Sequence, residues 1–166
     1  MSINIMPLTF IEYKNKRFYI SQTPTNDNIM FFIESLKKNN IKHVIRLCKP
    51  TYDFNIIQKE NINCYHLEME DGSVPSEHTL NEWTNIQSKI NENEGILVHC
   101  YAGLGRAPII VSISLINNNM ETIEAIQLVR KCRPGSLNSK QIKFLENYKP
   151  VSKKTTFSFI NMLWCR

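Results

Sequence analysis

The stretch Ile96 to Pro108, ILVHCYAGLGRAP, constrains the chain more than any other. Ile96, Leu97, Val98 and His99 read as a core strand, and Ile109 to Ile116 as an apolar helix, with a glycine-bearing loop between them that closes on Arg106. Strand, loop and helix in immediate succession set Cys100 where backbone N–H groups and a helix N-terminus converge. Such a place stabilises a thiolate and can hold an oxyanion beside it. Gly103 and Gly105 let the backbone curl inward without a Cβ clash, and Arg106 supplies a planar fork that suits two oxygens of a phosphate. Tyr101, Ala102, Gly103, Leu104, Gly105 and Arg106 are therefore the candidate lining of a cradle for a tetrahedral dianion, with Cys100 at its base. The pattern His99-Cys100-x-x-Gly103-x-x-Arg106 arises by accident in a chain of this size with a probability on the order of one in several thousand. The plainer alternative is an inert buried cysteine after a core strand, with an unrelated surface arginine.

The rest of the chain alternates strands and helices without an internal repeat, which predicts one α/β domain. With 166 residues, 42% of them apolar and 21% charged, there is core enough for one such fold. Leu8 to Tyr13 and Arg17 to Ile20 flank Lys14-Asn15-Lys16 and read as a hairpin. Thr25 is the expected N-cap of a helix through Ile29, Phe32, Ile33 and Leu36 that ends at Asn39-Asn40. Lys42 to Cys48 is a buried-type strand stopped by Pro50. A short helix over Phe54 to Glu60 precedes a strand from Cys64 to Leu67. After a turn-rich loop, Glu68 to Pro75, an amphipathic helix is predicted over Ser76 to Asn93, with Trp83 on its core face and Gly95 closing it. Helices follow at Pro108 to Asn117, Thr122 to Arg130 and Ser139 to Tyr148, the last capped by Asn138 or Ser139.

Twenty basic against fifteen acidic residues give a net charge of +5, which suits an anionic partner and equally well suits solubility alone. The five cysteines (48, 64, 100, 132 and 165) have neither disulfide-framework nor zinc spacing, so no metal and no cofactor is expected. No signal-type apolar segment and no 18-residue apolar run is present. A cytoplasmic protein with reduced thiols follows as the expectation.

If Cys100 is a nucleophile in phosphoryl transfer, the chemistry demands a second group, because an alkoxide or phenoxide leaves badly unless a proton reaches its oxygen. The loop EMEDGSVPS offers Glu70 and Asp71, with Gly72 and Pro75 to shape a turn. From the residues alone, Asp71 is as well read as a turn aspartate bonded to its own backbone.

HCYAGLGRAP does not stand alone. Together with EYKNKRF (12–18), PTN (24–26), TYD (51–53), EDG (70–72), GSLNSKQ (135–141) and FLENYKP (144–150), it closely resembles the phosphatases of regenerating liver, the PRL group of dual-specificity protein tyrosine phosphatases. The resemblance spans about residues 8 to 150 and implies a central mixed, mostly parallel sheet flanked by helices. It implies that Cys100 forms a phosphocysteine, that Arg106 binds phosphate in ground and transition states, and that Asp71 is the general acid. Glu70 takes the place of a neighbouring family aspartate that could modulate Asp71. Cys48 takes that of the family's backdoor cysteine, a redox partner able to form a disulfide with the nucleophile; as a residue it also reads as small apolar filler. Phosphorylated proteins are the implied substrates, and a magnesium-transport mediator of the cyclin M type is a partner the resemblance permits.

In most phosphatases of the superfamily a serine or threonine follows the arginine, whereas the PRL group and this chain have alanine, here Ala107. Hydrolysis of the phosphoenzyme should then be slow, and a phosphate-marked binding module becomes an alternative function. An RNA 5′-phosphatase is a further alternative. Against it, the basic residues are scattered, with no arginine-rich run and no aromatic stacking motif, so nucleic acid is not an expected partner. The PRL group ends in a polybasic stretch and a prenylated Cys-a-a-X box, but this sequence ends FINMLWCR and prenylation is not expected. Residues 151–166 read as a tail distinct from the 1–150 domain. Lys153, Lys154 and Arg166, interleaved with Phe157, Phe159, Ile160, Leu163 and Trp164, permit weak contact with a membrane surface, or packing of the tail against the domain.

Overall fold

The computed structural model describes residues 6–150. The tail, with Cys165 and its basic and aromatic residues, lies outside the described residues.

A five-stranded sheet organises the domain. β1 (Thr9–Tyr13) and β2 (Lys16–Gln22) form the expected hairpin. Lys14 and Asn15 both take left-handed φ, 46° and 62°, as a two-residue turn between right-twisted strands requires. The remaining strands are β3 (Ile41–Arg46), β4 (Asn63–His66) and β5 (Gly95–Cys100), and the spatial order is β1-β2-β5-β3-β4. Every pairing except that of the hairpin is parallel. β5 lies in the middle with all six residues buried, as an uninterrupted apolar run covered on both faces should be.

Helices α1 (Ile29–Lys38) and α2 (Phe54–Gln58) cover one face, where Phe32, Leu36 and Ile57 meet Tyr19, Val44 and Leu97. On the other lie α3 (Glu77–Ser88), α4 (Arg106–Asn117), α5 (Thr122–Cys132) and α6 (Ser139–Asn147), packed on Phe18, Ile45, Ile96 and Val98. The helix after the loop, α4, is buried on every side from Arg106 to Ile116, which fixes the loop's exit as firmly as β5 fixes its entry. Trp83 is fully buried and donates through Nε1 to Ser114 Oγ at 2.8 Å, a core residue as its helical spacing predicts.

Several boundaries differ from expectation. α1 is capped at Asn28, because the Asn28 side chain reaches back to accept the Thr25 N–H at 2.8 Å and keeps residues 25–28 in a turn. α3 stops at Ser88: Ile90 keeps its buried place but its N–H reaches only Gln87 O, in a turn. Gly95 closes no helix. It opens β5, where a Cβ would stand 3.0 Å from Asn40 O, and the left-handed residue of that connection is Asn93. α4 begins at Arg106, two residues before Pro108, which places proline in the first turn, where its missing N–H costs nothing.

Candidate active site

Cys100 is the last residue of β5 and Arg106 the first of α4, so residues 101–105 must double back within five positions. Four of their carbonyls are engaged from outside. Tyr101 O accepts from the Thr23 N–H at 3.2 Å and Leu104 O from the Leu137 N–H at 2.8 Å. Ala102 O and Gly103 O both accept from the Arg133 guanidinium, at 2.9 and 2.5 Å. A trans peptide directs its C=O and its N–H to opposite sides, so turning these carbonyls outward turns the N–H groups of Ala102, Gly103, Leu104 and Gly105 inward. The result is a concavity of backbone donors over Cys100. Gly103 is required in it: its φ is +70°, and a Cβ would fall 2.5 Å from Ser21 O. The side chains of Tyr101 and Leu104 stand exposed at the rim.

Arg106 is buried beside this concavity. Its Nη1 donates to Met69 O at 3.1 Å, Nη2 meets Asp71 Oδ1 at 3.0 Å, and Nε has no partner. A buried guanidinium N–H left unpaired is costly, and Nε with Nη2 forms one edge of the fork, the edge that matches two phosphate oxygens. The arginine is thus anchored by one nitrogen while another stays unpaired.

Asp71 reaches Arg106 from a loop that α6 ties down. Gly72 turns the chain with φ +67°, Asn138 Nδ2 donates to Gly72 O at 3.1 Å, and Gln141 Nε2 donates to Ser73 O at 2.9 Å. The same two side chains form the capping box of α6, so the helix N-terminus and the carboxylate loop share their anchors. The Asp71 side chain is nonetheless 91% exposed, as a group that must meet a bound ester has to be. Glu70 is exposed next to it.

Cys48 and Cys100 are both buried, in one core cluster, and both are free thiols. Burial pushes the Cys48 thiol up; a Thr23 hydrogen bond and the Arg106 charge oppose this, and the nearby Cys100 adds to the rise. Burial also drives the His99 imidazole down to about 3, with the positive charges of Arg46 and His66 adding to the effect. His99 is therefore neutral at ordinary pH, and its Nε2 lies 2.7 Å from the Tyr52 hydroxyl, which orients the ring next to Cys100. Ala107 is fully buried at the start of α4.

Cys48, Cys100, Arg106, Asp71 and the loop 101–105 converge, and Glu70 only adjoins. The sequence marks Asn138 only as a candidate helix cap and gives no site role to Thr23, Tyr52, Arg133, Leu137 or Gln141. Asn138-x-x-Gln141 is a readable capping box. Nothing marks Arg133, whose partners lie 30 and 31 residues away, and on β1 at Thr9.

A cysteine at the carboxyl end of a central parallel strand, under inward backbone donors and beside a half-committed arginine, defines a cysteine-dependent protein tyrosine phosphatase, and comparison with known proteins agrees. Residues 18–120 match the family model described as "Polymorphic toxin system, DSP-PTPase phosphatase". The chain is 38% identical over 152 residues to the probable protein tyrosine phosphatase type IVA A of Dictyostelium discoideum, covering 90% of this chain and 92% of the relative. It is 40% identical over 146 residues to the human protein tyrosine phosphatase type IVA 3, covering 86% and 84%. A putative protein tyrosine phosphatase from Leishmania major superposes with a TM-score of 0.78 at 30% identity, covering 87% of this chain and 99% of that one. The chain belongs to the protein tyrosine phosphatase type IVA family, the PRL group that its motifs resemble.

Proposed function

We propose that the protein hydrolyses phosphomonoesters of phosphorylated proteins through a phosphocysteine on Cys100, and turns over slowly. The observation that carries this is the buried, unpaired Nε of Arg106 beside four inward N–H groups and a thiol. In the first step the Cys100 thiolate attacks phosphorus, the ester oxygen departs, and Asp71 gives it a proton; the N–H groups of 102–105 and Arg106 hold the equatorial oxygens. In the second step water attacks phosphorus and gives a proton to the Asp71 carboxylate left by the first step, the P–S bond breaks, and the thiolate leaves with inorganic phosphate released. Incubation with an aryl phosphate followed by intact-mass measurement tests the assignment: one phosphoryl group should accumulate, and mapping should place it on Cys100. An unmodified protein that still releases phenol would overturn it.

Ala107 bears on the second step. A hydroxyl there would donate to the departing thiolate, a charge-assisted hydrogen bond contributing roughly 1.5 to 3 kcal/mol, or about one to two decades in rate. Ala107→Ser is expected to raise steady-state turnover severalfold or more while leaving the pre-steady-state burst unchanged. Unaltered turnover, with no burst in the wild type, would show that dephosphorylation is not the slow step. The slow step also supports a second reading, a binding module whose occupied or empty cradle governs a partner, such as a cyclin M type transport mediator.

Cys48 is the redox partner in this reading, supported by the electrostatic effect of Cys100 on the Cys48 thiol and by their burial together. Peroxide should convert Cys48 and Cys100 to a disulfide that dithiothreitol reverses. Peptide mapping that finds sulfinic Cys100 beside a free Cys48 would remove the role. A reducing, cytoplasmic setting fits two thiols held free at rest. Membrane contact through residues 151–166 is a proposal from charge and aromatic content alone. Among the described residues no helix is long and apolar enough to cross a membrane.

A further inference from the structure

The cradle's inward donors depend on what turns its carbonyls outward, and two of the four are held by a side chain rather than by backbone. Arg133 ends α5 as its C-cap, with φ −135° and ψ 85°, and its own N–H donates to Val129 O at 2.8 Å. From there its guanidinium uses every nitrogen: Nε on Gly103 O, Nη2 on Ala102 O and Nη1 on the Thr9 hydroxyl of β1, at 2.9 Å. We propose that Arg133 is a positioning residue of the phosphatase reaction, fixing the peptide planes 102–103 and 103–104 so that the N–H groups of Gly103 and Leu104 face the phosphoryl oxygens.

Three further observations point the same way. Gly103 is bare on the side where Arg133 approaches: a Cβ would stand 2.6 Å from Nη2, so the glycine admits the guanidinium as well as the left-handed turn. Next, consecutive carbonyls accepting from one rigid planar group cannot rotate independently, whereas an ammonium has no fixed pair of donor directions. Finally, burial lowers the Arg133 pKa while the charge of Cys100 acts against that fall, which places the guanidinium within electrostatic reach of the nucleophile. Without that anchor a peptide plane can flip, exchanging an inward N–H for an inward C=O. A carbonyl oxygen facing a phosphate dianion repels it where the N–H attracted it.

The proposal rests on reading residues 100–106 as the oxyanion cradle, and the experiment separates the two. Tungstate, a tetrahedral oxyanion, is titrated calorimetrically into the full chain as wild type, Arg133→Met, Arg133→Lys, Arg133→Ala and Arg106→Met, with KM and kcat for an aryl phosphate and Tm measured alongside. Loss of two charge-assisted contacts should weaken tungstate binding about ten- to hundredfold in Arg133→Met and nearly as much in Arg133→Lys, with KM rising in parallel. Millimolar guanidinium should restore binding to Arg133→Ala where methylammonium does not, a rescue that a purely structural strut would not show. Wild-type tungstate affinity in Arg133→Met, or full rescue by lysine or by methylammonium, would overturn the positioning role. If Arg133→Met fails to fold, the lysine variant and the guanidinium rescue decide the matter. Wild-type affinity in Arg106→Met would instead refute the cradle itself.

Discussion

In Cys100→Ser, aryl phosphate hydrolysis is expected to fall to the uncatalysed level, with no phosphoprotein intermediate. A serine hydroxyl stays protonated at neutral pH, and the site offers it no base: His99 is the adjacent imidazole, but its ring is directed to the Tyr52 hydroxyl on the far side of the strand. The cradle itself should survive the change. The four outward carbonyls are held by Thr23, Arg133 and Leu137, none of which touches the thiol in that role, so the variant should still bind an oxyanion. Loss of turnover with retained tungstate binding is therefore the expected pair of results. Hydrolysis at the wild-type rate would remove Cys100 from the reaction.

Arg106→Lys is expected to lower kcat/KM by about two to four orders of magnitude, from the loss of two charge-assisted contacts of roughly 1.5 to 3 kcal/mol each. Lysine retains the charge but loses the shape. Arg106 is useful because Nη1 is occupied by Met69 O, which leaves the Nε and Nη2 edge aimed as a unit. An ammonium that found Met69 O would have no second nitrogen with which to hold phosphate, and one that faced phosphate would leave that buried carbonyl unanswered. Activity close to wild type would mean that the fork is not what binds the phosphoryl group.

How much of this was legible in the sequence depended on the range of the interactions. β5, its loop and α4 were readable because an apolar run, two glycines and a second apolar run are local signals, and burial on all sides reinforces them. Boundaries slipped where a side chain made a choice that pattern does not record. Asn28 reaching back to Thr25 shortens α1, and Ile90 keeps its buried place after α3 has ended. Cys100 and Arg106 could be named because they share one short loop. Asp71 could be named only as one of two adjacent acids until the motifs around it were matched to a family. Arg133 is one of two arginines in the basic stretch Arg130-Lys131-Cys132-Arg133, and its contacts join α5 to β1 and to the loop. No spacing rule carries information over 124 residues.

The ion pair between Asp71 and Arg106 gives the site a built-in competitor. A carboxylate tethered through Gly72 and Ser73 to α6 is present at the guanidinium at an effective concentration in the millimolar range or above, whatever the surrounding solution contains. Free phosphate and other small anions must displace it with nothing but their own charge. A phosphorylated side chain arrives with the rest of its polypeptide, which can add contacts at the exposed rim of Tyr101 and Leu104. The acid loop thus raises the concentration of free anion needed to occupy the arginine, a handicap that an attached phosphate offsets with its further contacts. Once product departs, the same carboxylate returns to the arginine and resets it.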